Sequence, residues 1–146
     1  MLGKELIMMR EILFRGKRKD GVWLYGHYTD DTAYDADFPC IVPLRSCLER
    51  KNWSVDKRTV GQYIGLTDRN GKKVFEGDIL KSYWDEDYPE DFCYEVVLWY
   101  ENGWCIKQGT ATPDRLDGVC KNDCLEYSEV VGNVYDNPEL LEEGLE

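Results

Sequence analysis

Apolar and polar residues alternate with a period of two along most of the chain, a pattern typical of β-strands. The longest run covers residues 92–100, and because both of its faces are mostly apolar or aromatic, we expect this strand near the centre of a sheet. Shorter runs that are rich in aromatic and β-branched residues predict further strands at residues 11–15, 22–28, 40–42, 59–67, 72–75, 79–84, 104–107 and 129–135. The chain is therefore predicted to be mainly β.

Two turn signals divide the central part of the chain. Residues 68–71, Asp-Arg-Asn-Gly, favour a tight hairpin turn because Asn and Gly tolerate positive φ angles. Gly77 lies between Glu76 and Asp78 and predicts a bulge or corner, where the chain bends from one sheet direction to another. Small barrels need such corners, so we expect residues 68–81 to organise the fold.

Three other segments lack strand periodicity. Residues 84–91 have the sequence WDEDYPED and predict a protruding acidic loop, whereas residues 110–123 predict a long loop with a turn of helix around residues 114–117. Near the end of the chain, Asn137 can cap a short helix in which Pro138 takes the first position.

The chain length and the apolar content predict one domain. A chain of 146 residues is typical of a single domain, and its 42% hydrophobic and 13% aromatic residues supply enough apolar surface for a core. We expect this domain to cover residues 9–141. Residues 1–8 are expected to form a leader or disordered extension, and residues 142–146 a frayed acidic tail.

Acidic residues outnumber basic ones, 29 to 18, which gives a formal net charge of -11. This charge repels phosphate backbones and anionic lipid headgroups, so direct binding to nucleic acid or membranes is disfavoured. The chain has no run of 18 apolar residues and no signal-peptide pattern at its start. These features favour a cytoplasmic protein.

The cysteine and histidine residues do not form a recognisable metal or catalytic pattern. The six cysteines are Cys40, Cys47, Cys93, Cys105, Cys120 and Cys124. They include no C-x-x-C pair, whereas closed zinc sites usually show two tight pairs, so reduced thiols are the favoured interpretation. The single histidine, His27, lies within a strand pattern and is expected to be a sheet residue. We expect no metal and no cofactor.

Three carboxylates accompany the central turns and have two interpretations. Asp68, Glu76 and Asp78 could hold a hard cation or act as acid and base. Their spacing belongs to turns, where carboxylates accept hydrogen bonds from backbone amides. A structural role is therefore favoured, and no catalytic residue is predicted.

The acidic loop is the candidate partner surface. Its members are Asp85, Glu86, Asp87, Tyr88, Glu90 and Asp91. The loop lacks the alternating ligands and the central glycine of an EF-hand. A solvated loop is the favoured interpretation, and a surface that contacts a partner is the second.

Three motifs resemble the YopX family of bacteriophage and prophage proteins. An opening M-R-E-I-x-F-R pattern is matched by Met9–Arg15, a central T-V-G-Q-Y block that runs to E-G-D-I by Thr59–Ile79, and a closing E-V-x-G-N block by Glu129–Leu141. The resemblance implies a small SH3-like barrel or roll with additional strands and a short C-terminal helix. It implies phage or prophage biology inside a bacterium, but no activity, catalytic residue or cofactor.

Three functional hypotheses follow from these observations. The leading one is a non-enzymatic accessory protein that binds a host or phage protein, with homo-oligomers formed through sheet edges as a further option. The first alternative is a metal-dependent hydrolase or nucleic-acid-processing enzyme that uses Glu76, Asp78 and the acidic loop. The second is an acidic DNA mimic that inhibits a host protein.

Overall fold

A computed structural model of the protein describes residues 10–30, 39–44, 52–116 and 124–143. The predicted extension at residues 1–8 and the end of the predicted tail, residues 144–146, lie outside the described residues. Cys47 and Cys120 also lie outside them.

Eleven strands and one short helix are present in the described residues. In chain order they are β1 (Phe14–Lys17), β2 (Trp23–Thr29), β3 (Cys40–Pro43), β4 (Asp56–Asp68), β5 (Lys73–Phe75), β6 (Asp78–Tyr83), β7 (Phe92–Tyr100), β8 (Gly103–Lys107), β9 (Asp114–Arg115), β10 (Cys124–Leu125), β11 (Ser128–Asn133) and α1 (Glu139–Glu143). The mainly β prediction is confirmed. Within the described ranges, no helix is long and apolar enough to cross a membrane.

The strands form two sheets. The first has the order β10-β4-β1-β2-β3, with β5 also paired to β4, and the second has the order β11-β6-β7-β8-β9. All pairs are antiparallel except β10 with β4. The described strands close into no barrel, so the coarser prediction of a mainly β fold is confirmed and its SH3-like form stays a prediction.

The chain passes from the first sheet to the second at the predicted glycine corner. Gly77 has a φ of 90° and lies in the turn between β5 and β6. If alanine replaced Gly77, its Cβ would lie 3.1 Å from the nearest atom of the Tyr135 ring. Glycine is therefore required here both for its backbone conformation and for the close approach of that ring.

The main core lies between the two sheets. Its buried members are Ile64, Val74, Leu80, Val97, Leu116 and Leu125. Strand β7 occupies the centre of the second sheet, as its two apolar faces predict. Smaller clusters lie around Phe75 and around Ile41.

The predicted turn of helix around residues 114–117 is wrong. Asp114 and Arg115 form β9, opposite Ile106 and Cys105 of β8. The Arg115 guanidinium donates a hydrogen bond to the carbonyl of Glu101, and the next backbone amide donates to the carbonyl of Trp104. These contacts with β8 and its hairpin hold the segment extended, and the local sequence does not encode them.

Candidate functional site

A buried ion pair joins the two sheets. Nη2 of Arg15 on β1 lies 2.8 Å from Oδ1 of Asp78, the first residue of β6, and the two side chains are 6% and 2% exposed. The guanidinium also donates a hydrogen bond of 3.3 Å to the carbonyl of Glu76. Its carbon lies 4.8 Å from the ring centroid of Trp23 and 5.0 Å from that of Phe75. Arg15 is therefore held by charge on one side and by aromatic rings on the others.

The second oxygen of Asp78 is also used within the fold. Oδ2 accepts a hydrogen bond of 2.7 Å from the backbone amide of Phe75. Burial raises the pKa of Asp78, and the Arg15 guanidinium and the Phe75 amide oppose that rise. Burial likewise raises the pKa of Glu76 against the same guanidinium. Both oxygens of Asp78 thus stabilise the corner between β5 and β6.

Asp68 ties the central hairpin turn to strand β11. Its Oδ1 accepts hydrogen bonds from the amides of Asn70 at 2.8 Å and Lys72 at 2.9 Å, and its Oδ2 accepts one from Val130 at 2.9 Å. The residue is 1% exposed. The three bonds satisfy backbone donors in two separate elements, so Asp68 fixes their relative position.

The closing motif reaches the same region. Asp136 accepts hydrogen bonds from Lys17 Nζ and Trp23 Nε1. The hydrogen bond from Lys17 holds the pKa of Asp136 below its ordinary value. The Tyr135 ring lies 5.9 Å from the Trp23 ring. The opening, central and closing motifs therefore meet at one place in the structure.

A cleft of about 550 Å³ opens at this meeting point. We call it the motif cleft, and its walls include Arg15, Trp23, Tyr25, Lys72, Phe75 and Asp78. Arg15 and Phe75 are buried, whereas Tyr25 is 46% exposed. The cleft thus has a buried, neutralised ion pair in one wall and an accessible aromatic ring in another.

The acidic loop forms a second candidate surface at the far end of β6. We call the tip the group formed by residues 84–92 together with Tyr127. All six residues predicted as a partner surface are exposed: Asp85, Glu86, Asp87, Tyr88, Glu90 and Asp91. The loop has defined turns, because the Tyr88 amide donates to the carbonyl of Asp85 and the Asp87 amide donates to the Asp85 side chain.

Aromatic residues accompany the acids of the tip. Trp84 is 68% exposed, Tyr88 56%, Tyr127 51% and Phe92 37%. Phe92 pairs with Tyr83 across β7 and β6, and the Tyr83 amide donates to the carbonyl of Tyr127. These contacts bring the ends of β6 and β7 and the turn before β11 together at one end of the second sheet.

The structure separates the acids that the enzyme hypothesis requires. Asp78 begins β6 and the acidic loop follows its last residue, Tyr83, a distance of roughly 17 Å along an extended strand. Across the part of the chain that the structure describes, no three His, Cys, Asp or Glu residues form a group suited to a metal ion.

The histidine and the described cysteines lie apart from both surfaces. His27 is an exposed residue of β2, opposite Val42 of β3, as the strand prediction implies. Cys40, Cys93 and Cys105 are buried, and Cys124 is half-buried. Burial raises the pKa of Cys93 to about 11, which keeps this thiol protonated.

Sequence reasoning missed the convergence of Arg15, Trp23 and Asp136. A partial signal existed, because Leu13 and Arg15 are two positions apart in the predicted strand at residues 11–15 and are expected to share a face. A charge on the apolar face of a strand requires a buried partner. The identity of that partner, 63 positions further along the chain, was not encoded locally.

The fold and these contacts define a two-sheet β protein in which three separate motifs meet at one cleft. The chain belongs to the YopX protein family, whose model matches residues 13–142. The crystal structure of protein EF1440 from Enterococcus faecalis is similar, with 19% sequence identity, a TM-score of 0.57, and coverage of 91% of this chain and 99% of that chain. At this identity the likeness concerns the fold alone. No curated protein matches the chain.

Proposed function

We propose that this protein is a non-enzymatic phage or prophage accessory protein that binds a host or phage protein through the tip, in the bacterial cytoplasm. The observation that carries the proposal is the exposure of Trp84, Tyr88, Phe92 and Tyr127 at one end of the second sheet. Large aromatic rings in water forgo the free energy of burial, and contiguous exposed apolar patches mark interaction sites.

The charge of the tip favours a basic partner. Five carboxylates lie among the rings within eight positions of the chain: Asp85, Glu86, Asp87, Glu90 and Asp91. Acidic groups around aromatic anchors steer a cationic surface into contact, while the rings supply most of the affinity. The partner surface is therefore expected to combine Lys or Arg side chains with an apolar pocket.

Two cationic side chains, Lys81 and Arg69, contact aromatic rings in the tip and next to it. Lys81 Nζ lies 4.1 Å from the ring centroid of Phe92, and the Arg69 guanidinium carbon lies 5.5 Å from that of Tyr83. These cation–π contacts hold two rings in position before any partner arrives. A preorganised surface loses less side-chain entropy on binding.

A capture experiment with matched variants tests the proposal. The tagged protein is incubated with a bacterial lysate, and retained proteins are quantified by mass spectrometry for the wild type, Trp84→Ala/Tyr88→Ala and Trp99→Ala/Tyr100→Ala. Trp99 and Tyr100 have 52% and 42% exposure at the other end of β7, so their replacement removes as many exposed rings elsewhere. The same partner should be lost with the first variant and kept with the second; equal losses would refute the proposal.

The two alternatives predict different outcomes. A DNA mimic requires the charges of the tip, so Asp85→Asn/Asp87→Asn/Glu90→Gln should abolish binding while Trp84→Ala/Tyr88→Ala leaves it intact. A metal-dependent hydrolase requires catalysis that depends on Mg²⁺ or Mn²⁺ and is lost in Glu76→Gln. The separation of Glu76 from the acidic loop gives that alternative less support.

The SH3-like relation and self-association belong to the same proposal. The SH3-like relation is supported by the small antiparallel sheets that join at the Gly77 corner. Strand β9 ends the second sheet and offers an edge to another copy, whereas residues 53–55 already pair with the outer edge of β3. Sedimentation at several protein concentrations would reveal such an association.

A further inference from the structure

The charges that line the motif cleft do not cancel. Arg15 is paired with Asp78, and Asp136 is paired with Lys17. Lys73 also lines the cleft and is paired with Glu11 at 3.7 Å. Lys72 lines the cleft too, is exposed and forms no ion pair among the described residues. In a chain with a net charge of -11, this leaves one uncompensated cation in a concave site.

Lys72 lines the same cleft as the ion pair. Burial raises the pKa of Asp78, and the charge of Lys72 is one of those that oppose the rise. The carboxylate is already engaged by Arg15 at 2.8 Å and by the Phe75 amide at 2.7 Å. The ammonium group of Lys72 thus adds positive potential to the cleft and does not form an ion pair with that carboxylate.

A second donor in the same wall has no acceptor. Nε of Arg15 is buried and makes no hydrogen bond with any described residue. The residue is 5% exposed, and it lines the cleft. A buried donor without an acceptor costs about 1–3 kcal/mol, so an oxygen atom that enters this wall would offset that cost.

Aromatic rings also line the cleft. Tyr25 is 46% exposed at the rim, and its ring meets that of Phe75 edge-on at 5.5 Å. A contact of this kind uses at most one face of the Tyr25 ring and leaves the other face available to another ring. The cleft volume of about 550 Å³ lies within the range of about 300–1,000 Å³ that small-molecule sites occupy.

We propose that the motif cleft binds a small planar organic anion, with its phosphate or carboxylate group at Lys72 and the Arg15 wall and its ring against Tyr25. This site is separate from the tip and does not depend on the proposed function. The tip would contact a macromolecule, whereas the cleft would hold a ligand the size of a mononucleotide or an aromatic acid.

Binding can be measured by amide chemical shifts in NMR titrations of the full chain. Adenosine 5′-monophosphate and benzoate serve as the two anionic probes and distinguish phosphate from carboxylate, and adenosine serves as the uncharged probe. We expect at least one anion to bind, with shifts concentrated at residues 71–75 and in β2, and adenosine to bind at least about tenfold more weakly, the equivalent of one charge-assisted contact.

Exposed positions provide variants that leave the scaffold intact. Lys72→Ala and Tyr25→Ala should each weaken anion binding by about tenfold. The matched controls are Lys57→Ala, another exposed lysine, and Tyr100→Ala, a ring of similar exposure, and neither should change the affinity. Absence of binding by both anions, equal binding of adenosine, or unchanged binding in Lys72→Ala would overturn the proposal.

Discussion

The central turns beside the motif cleft and the tip use aspartate in opposite ways. Asp68 and Asp78 are each 1% exposed, and both oxygens of each carboxylate have partners within the fold. Asp85, Asp87 and Asp91 of the tip are exposed to solvent. Because burying a charge without partners is costly, the buried acids are committed to architecture, and only the exposed acids are free to meet a partner.

The family motifs and the acidic loop therefore have different tasks. The central motif supplies the corner and the turn on which both sheets depend. The tip contributes no buried side chain, so its residues can change without loss of the core. Stability should therefore respond to substitution at the cleft, and macromolecular binding should respond to substitution at the tip.

The largest expected effect follows from breaking the buried ion pair. Asp78→Ala leaves the Arg15 guanidinium buried without its counter-charge, and such losses cost about 3–5 kcal/mol. Urea unfolding followed by fluorescence measures this loss. Asp85→Ala at the tip is the control and should change the free energy of unfolding by less than about 0.5 kcal/mol. Similar losses in the free energy of unfolding for the two variants would contradict the assignment of stability to the buried acids and not to the tip.

Asp68 should produce the second-largest effect. Asp68→Ala leaves three backbone amides without their acceptor, and we expect a loss of about 2–3 kcal/mol because water can replace part of the lost bonds at the turn. Hydrogen exchange at the amides of Asn70, Lys72 and Val130 should accelerate together. Unchanged protection at Val130 would contradict the link between the turn and β11.

Two glycines separate backbone strain from crowding. Gly77 and Gly65 have φ values of 90° and 89°, but a virtual Cβ lies 3.1 Å from the Tyr135 ring at Gly77 and has no neighbour within 4 Å at Gly65. We expect Gly65→Ala to cost about 1 kcal/mol and Gly77→Ala about 2 kcal/mol. Thermal unfolding of both variants measures the difference. Equal losses of stability would show that the Tyr135 ring moves aside at no cost.

The smallest effect concerns the pH dependence of stability. Burial raises the pKa of Glu95 above its ordinary value of 4.5, a hydrogen bond from Ser82 opposes the rise, and Asp114 adds to it. The folded state then holds this proton more tightly than the unfolded state. The contribution of Glu95 to the free energy of unfolding therefore falls as the pH rises from about 4.5 through the folded pKa.

Glu95→Gln should reduce that fall in stability between pH 4.5 and pH 7.5, because the amide does not titrate. Denaturant unfolding at several pH values measures it. Glu90→Gln at the exposed tip is the matched control and should leave the pH dependence as in the wild type. An identical slope for wild type and Glu95→Gln would show that the burial of this carboxylate has no effect on stability.

Local signals predicted most of the strands but not how they assemble. Strand β7 has the predicted bounds, Phe92–Tyr100, because alternation and aromatic content act within one segment. Glu101 and Asn102 adopt positive φ in the following hairpin turn, in agreement with the polar turn sequence. Strands β9 and β10 have only two residues each and were not predicted, since they are extended through contacts with β8 and β4.

The sequence by itself determined the strand content, the hairpin turn at residues 68–71, the glycine corner and the acidic character of the tip. Each depends on residues that are neighbours in the chain. The tertiary structure decided the order of the two sheets, the burial of Asp68 and Asp78, and the meeting of Arg15 with Asp78 and of Trp23 with Asp136. These contacts join residues 63 or more positions apart, and their free energy depends on burial that exists only after the sheets have packed.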